Sequence, residues 1–282
     1  MTPSRVLLRK AGHDLVDGCV YGPVRSRRLG WSLGINWFAP KTKVCNFDCV
    51  YCQLGPTDRL PLREDFVPPE VFAQEVETAF ARIAADGTPI DVITISGNGE
   101  PTLHPRMPDL IDRLLAARDR YFPTARTWVL TNGTRNHVDA VAEALNRLDE
   151  RAVKLDAVGP WLADIDKPLF GFRWDAFVEG LRKLRDYHLQ VMVVKGQGKN
   201  HDPRAWAAWV EWVRDQALRP KSIQLYTVDR FPAYEGVEPL DPQEMAEVAS
   251  YLSHQLPHIP LEVVWPEGAW AVSAPAAGSE DS

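Results

Sequence analysis

The chain of 282 residues carries a formal charge of −6, with 45% hydrophobic and 25% charged residues. These are ordinary values for a soluble globular protein, long enough for one large domain or two small ones. The acidic balance argues against a broad, sequence-independent grip on nucleic acid, and no apolar run approaches the ~20 residues of a membrane span.

Residues 1–30 read as an N-terminal extension packed on the rest, irregular apart from an apolar piece at 5–8. No charged-then-apolar signal pattern marks the first residues, so a cytoplasmic protein is expected. Within the extension, Tyr21-Gly22-Pro23-Val24-Arg25-Ser26-Arg27-Arg28-Leu29-Gly30 reads as a loop with turn residues at both ends. Arg25, Arg27 and Arg28 could face an anionic substrate or simply be solvated. Cys19, just before this loop, reads as a lone thiol. A first strand over 33–37 is broken by Pro40 and leads into a loop holding three of the four cysteines.

The spacing predicts a helix over 69–86, with Pro69 in its first turn, Phe72, Val76, Phe80 and Ile83 on one face, and Gly87 after its end. The run 91–96 is apolar and β-branched, hence a buried strand. Strands over 127–130, 151–156, 189–195 and 223–227 alternate with helices over 108–118, 137–148, 174–187, 203–218 and 242–256, and 261–265 could be a closing strand. Trp206, Trp209, Val210 and Val213 share helical spacing and read as core. Residues 266–282 read as a disordered tail. Strand, loop and helix at this rhythm imply an α/β fold, a single-domain core over 31–265 shaped as a partial TIM-type (β/α)6 barrel of parallel strands. By analogy with the full barrel, its chemistry should sit at the C-terminal strand ends.

Polar motifs fall where those strands end. Cys45, Cys49 and Cys52 stand at the spacing Cys-x3-Cys-x2-Cys, with Tyr51 before the last. Three thiolates on such a loop can reach three irons of a cubane cluster and leave the fourth open for chemistry. A structural zinc site would need a fourth donor, for which Cys19 is the remaining cysteine, and a disulfide framework belongs to small secreted chains. Gly97-Asn98-Gly99-Glu100 follows the second strand; its glycines would let backbone approach a ligand, and Glu100 could receive an amine or merely close a turn. Lys154 and Asp156, two apart, share one face, as do Gln224 and Tyr226. These pairs, with Asn132, Lys195, Asp229 and Arg230, are candidate ligand contacts, although Lys154–Asp156 and Asp229–Arg230 could equally satisfy each other. Of the histidines, His104 beside the Gly-Glu loop is the candidate; His137, His188, His254 and His258 read as surface residues.

The cysteine spacing resembles the signature of the radical S-adenosylmethionine (SAM) enzymes, and the likeness covers roughly residues 20–256. It implies a [4Fe-4S] cluster on Cys45, Cys49 and Cys52, with SAM on the open iron. Tyr51 matches the position near adenine. Gly97, Asn98, Gly99 and Glu100 match the segment that meets the methionyl amine, here with a longer spacing than Gly-Gly-Glu. Asn132, Lys154 and Asp156 correspond to contacts with ribose or carboxylate. The resemblance implies reductive cleavage of SAM to a 5′-deoxyadenosyl radical, with flavodoxin or ferredoxin as the electron donor. Gly-Pro-Val-x-Ser-Arg-Arg-Leu-Gly, Ser-Gly-x-Gly-Glu-Pro-Thr-Leu-His and Gln-Leu-Tyr-Thr-Val-Asp-Arg narrow the likeness to a poorly characterised group related to wybutosine (tRNA-base) biosynthesis enzymes. A small-molecule or side-chain substrate is expected ahead of tRNA. A glycyl-radical-type activase and a non-catalytic cluster carrier are the other readings. Possible substrate contacts are Arg25, Arg27, Arg28, His104, Lys195, Gln224, Tyr226 and Arg230.

Overall fold

Seven parallel strands form the spine of the computed structural model, which describes residues 15–26, 28–229, 232, 234–265 and 268–272. In chain order they are β2 (Gly30–Ile35), β3 (Val92–Ile95), β4 (Arg126–Thr131), β5 (Glu150–Lys154), β6 (His188–Val193), β8 (Ser222–Thr227) and β10 (Leu261–Trp265). Two antiparallel strands, β1 (Val20–Ser26) and β11 (Gly268–Val272), flank them and complete an open nine-stranded sheet. A small ribbon of β7 (Lys195–Gly196) and β9 (Val237–Glu238) stands apart from it.

This is the expected α/β partial barrel, with three differences. The parallel run has seven strands rather than six, because 261–265 does join it. Residues 20–26 are not a loop of a packed extension but an edge strand of the sheet. A register shift between Tyr21 and Val24 absorbs Gly22 and Pro23, and an edge is where a strand tolerates proline. Part of the expected disordered tail, 268–272, pairs with β10. The apolar piece at 5–8 and the rest of the tail, 273–282, lie outside the described residues.

The helices are α1 (Pro69–Ala85), α2 (Met107–Tyr121), α3 (Asp139–Leu145), α4 (Pro160–Ile165), α5 (Trp174–Lys183), α6 (Pro203–Asp215) and α7 (Pro242–Gln255). The predicted apolar face of α1 is buried, as are Trp206, Trp209, Val210 and Val213 of α6. The predicted six helices match, α3 and α5 being shorter than expected. Helix α4, one and a half turns long, is too short to leave a periodic signal.

Strand alternation decides what each side of the sheet does. Leu33, Ile35, Ile93, Ile95, Val129, Val153, Leu189, Val191, Ile223, Leu225, Leu261 and Val263 pack with the helices in the main core. The alternate positions are largely polar. Lys154, Gln190, Gln224 and Glu262 stand opposite one another across β5, β6, β8 and β10. None of the described helices is long and apolar enough to cross a membrane.

Candidate active site

The cysteine loop is fastened to the end of β3 by backbone. Val44 N donates to Asn98 O at 2.9 Å and Glu100 N donates to Val44 O at 2.8 Å, a one-residue parallel bridge between Val44 and Gly99. A Cβ on Gly99 would lie 1.9 Å from Val44 O. The close approach that this glycine permits is therefore to the cysteine loop itself, a more specific role than the ligand approach anticipated. Asn98 departs further from expectation: its side chain is wholly buried and bonds Val16 N and O, each at 2.9 Å. It anchors the N-terminal segment. Gly97 sits against Asn36.

Cys49 is buried, and Cys45 and Cys52 are half-buried; none is in a disulfide. Phe47 N donates to Cys45 Sγ at 3.4 Å, and Lys43, which donates to Gly55 O, sits within the electrostatic influence of the three sulfurs. Burial, then Glu100, pushes the Cys45 thiol up to about 12, and burial with Asp166 pushes Cys49 up as well. Burial opposes a charge on Lys43, yet the neighbouring thiolates of Cys52 and Cys45 raise it overall. Thiolates persist in such a place only when a cation compensates them. Three soft sulfur donors on one loop fit an iron–sulfur cluster, whose ligands sit on separate irons. Among the described residues, no three His, Cys, Asp or Glu converge as they would on a single metal ion. Cys19, the fourth cysteine, is buried apart from this loop, with its N–H donating to Glu75 at 2.9 Å and its thiol raised by burial.

Beneath the loop lies a carboxylate pair that the sequence only half revealed. Asp156 and Asp166 are both buried, and Tyr51 Oη donates to Asp156 Oδ2 and lies 3.2 Å from Asp166 Oδ1. Cys49 Sγ donates to Asp166 at 3.2 Å. Lys154 Nζ lies 3.4 Å from Asp156 and 4.8 Å from the Tyr51 ring centre. Strand parity thus brings Lys154 and Asp156 together as expected, and they contact each other. Burial counts against the charge on Lys154, but Asp156 holds it above its ordinary range. Burial, then Asp156, drives Asp166 well up. Asp166 was missed; it closes the unforeseen α4.

Glu100 is buried and already well served. Its Oε1 accepts from Thr102 N at 3.0 Å, Thr102 Oγ1 at 2.6 Å and Thr131 Oγ1 at 2.6 Å, and its Oε2 accepts from Asn132 N at 2.6 Å. Burial nevertheless raises it. Asn132 Nδ2 donates to Asn46 Oδ1 at 2.7 Å, tying the end of β4 to the cysteine loop.

The barrel interior holds a chamber of about 430 Å³ lined by Tyr21, Arg25, Arg28, Ser96, Gln190, Tyr226 and Asp229, among others. A second cavity of about 260 Å³ shares Tyr226 and Asp229 and reaches Tyr51 and Gln53 on the cysteine loop. Gln224 is buried behind the chamber and bonds Glu262 at 3.4 Å. Arg28 donates to Glu262 at 3.1 Å and lies 4.8 Å from the Trp128 ring centre. Gln190, Trp128 and Glu262 were missed; register with Lys154 and Gln224 was the available signal for Gln190 and Glu262. His188, read as surface, is buried, stacked on Trp128 and bonded to Glu150 and Ser222.

Two expected substrate contacts fall elsewhere. His104 is enclosed by Trp37, Phe38 and Phe66, with Nε2 at 3.0 Å from Val67 O and Nδ1 accepting from Arg106 N at 3.0 Å. Burial lowers it to about 4, a neutral core histidine. Lys195, in the β7–β9 ribbon, is paired with Glu244 at 2.7 Å. Arg27 and Arg230 lie outside the described residues.

Comparison with known proteins adds the following. A family model described as "Radical SAM superfamily" matches residues 40–210. A UPF0026 protein of Helicobacter pylori is 33% identical over 187 residues, 63% of this chain and 56% of that one. A UPF0026 protein of Synechocystis is 34% identical over 213 residues, 73% of this chain and 74% of that one. The chain spans about half the length of the Helicobacter relatives. Among solved structures, Streptococcus suis SuiB bound to S-adenosylmethionine matches with a TM-score of 0.53 at 13% identity, over 79% of this chain and 48% of that one, a likeness of fold.

Proposed function

We propose a reaction for this chain on one premise: it belongs to the radical SAM superfamily. Cys45, Cys49 and Cys52 would hold a [4Fe-4S] cluster, with SAM bound at its open iron. When bound, the reduced cluster and SAM supply a 5′-deoxyadenosyl radical that takes a hydrogen atom from substrate. The chain's own part is to bind, orient and keep water away. Val44 and Gly99 fix the loop at the end of β3, Lys154 offers a cation for the SAM carboxylate, and Tyr51 borders the cavity that leads inward. Asn132, through Asn46, holds the loop in place from β4.

The observation that carries this reading is the placement of three thiols at the C-terminal strand ends, where a cavity at Tyr51 and Gln53 adjoins the chamber at Tyr226 and Asp229. A non-catalytic cluster carrier has no use for such a chamber. A small molecule or a side chain fits it as substrate, and flavodoxin or ferredoxin would supply the electron. The tRNA-base reading, with its kinship to wybutosine enzymes, finds no support in a net charge of −6.

The test is anaerobic reconstitution with iron and sulfide, reduction in the presence of SAM, and chromatography for 5′-deoxyadenosine. Product from the wild type and none from Cys49→Ala is the expected result. A wild type that binds zinc through its cysteines and forms no product would overturn the proposal.

A further inference from the structure

Two guanidinium groups, Arg25 and Arg28, and one carboxylate, Asp229, line the chamber. Glu262 is taken up by Arg28 at 3.1 Å, Ser222 at 2.8 Å and Gln224 at 3.4 Å. Asp229, at the passage toward Tyr51, is engaged in an interaction of its own. Arg25 lines the same space and makes no ion pair among the described residues. Arg28 Nε is buried there without a partner. The guanidinium of Arg28 is held rigid, 4.8 Å from the Trp128 ring centre and 5.7 Å from that of Tyr226. A planar guanidinium fixed on aromatic faces suits an oxyanion, and a second guanidinium lining the same space, that of Arg25, reinforces that choice. The chamber volume, about 430 Å³, suits one small organic molecule.

We propose that this chamber binds a small organic anion, gripping its carboxylate or phosphate with Arg25 and Arg28. The remainder of the molecule then extends past Tyr226 toward the cavity at Tyr51, so the carbon that loses hydrogen is one distant from the anionic group. This orientation rests on the reading above that chemistry occurs at the cysteine loop; the anion site does not.

The test is calorimetric titration of inorganic phosphate and, separately, of acetate into the full chain with its cluster reconstituted. Binding of phosphate alone identifies a phosphorylated substrate, of acetate alone a carboxylic acid, and of both the shared anion site. Affinity should fall at least about tenfold in Arg25→Gln, the loss expected for one charge-assisted partner, and stay unchanged in Lys195→Gln. Arg28→Gln removes the partner of Glu262 and can disturb the wall, so the exposed Arg25 carries the decision. Absence of binding by either anion, or equal binding by wild type and Arg25→Gln, overturns the proposal. The titration needs no SAM cleavage, so a failure to form 5′-deoxyadenosine would sink the reaction class and leave the anion site to be decided on its own.

Discussion

Replacing Gly99 by alanine tests whether the joint between the cysteine loop and β3 is what presents the thiols. A Cβ there would stand 1.9 Å from Val44 O, 2.5 Å from Val44 C and 3.0 Å from Val44 N, all backbone that no side-chain rotation can relieve. Gly99 also has φ +145, a conformation L side chains rarely adopt. Separating the two segments breaks both bridging hydrogen bonds, worth about 1 kcal/mol each, and adds backbone strain of about 1–3 kcal/mol, so the variant should lose about 3–5 kcal/mol. That is a large fraction of the ~5–15 kcal/mol that stabilises a typical domain. Gly87→Ala is the matched control: φ is +69, yet nothing lies within 4 Å of the added carbon, so its cost should stay near 1 kcal/mol. Urea denaturation gives the stabilities, and iron per chain after reconstitution gives the loading. Gly99→Ala should lose both, Gly87→Ala only a little stability. If Gly99→Ala unfolds at the same midpoint as Gly87→Ala and retains full iron, the bridge is not what holds the loop.

Two further outcomes are expected. In Glu100→Gln the carboxamide can serve Thr102 and Thr131 with its oxygen only by turning its NH₂ against Asn132 N, now 2.6 Å from Oε2. The variant should lose about 2–3 kcal/mol in a denaturant titration, the worth of one charge-assisted bond; a loss below about 0.5 kcal/mol would show that the loop re-forms without it. His104 is neutral in the fold, with its pKa lowered to about 4 by burial, against 6.5 when free. The unfolded chain therefore binds the extra proton between these values, and stability present above pH 6.5 is lost as pH falls toward 4, by about 3 kcal/mol in full. His104→Gln should be less stable at pH 7 yet show a flatter decline toward pH 4.5; parallel declines would locate the acid sensitivity elsewhere.

What the sequence made legible was whatever depends on local period. Phe72, Val76, Phe80 and Ile83 define the buried face of α1 because they recur at helical spacing, and Lys154 meets Asp156 because a strand repeats every two residues. What escaped depends on register and crossing. Gly22 and Pro23 look like a turn, and only the bulge at an edge lets Val20–Ser26 remain a strand. Glu100 after two glycines reads as a ligand contact; two of its partners, Thr131 and Asn132, are the last residue of β4 and the one after it, and nothing in the local sequence announces that neighbour. Asp166 reaches Cys49 from a segment 117 residues away. His104 sits beside the Gly-Glu loop in sequence but turns into an aromatic core built from residues 37, 38 and 66.

The same distinction explains why the inside of this sheet can serve as a chamber. A closed barrel of eight strands fills its centre with layers of branched apolar side chains; here the row Lys154, Gln190, Gln224, Glu262 occupies that position. Its two charges are settled at opposite ends, Lys154 by Asp156 near the cysteine loop and Glu262 by Arg28 at the other side. The middle is left to amides, and Gln224 keeps a buried Oε1 without a partner. A buried polar atom of that kind costs stability unless something donates to it. The row is therefore poor packing as a core, and of its four residues Gln190 lines the chamber.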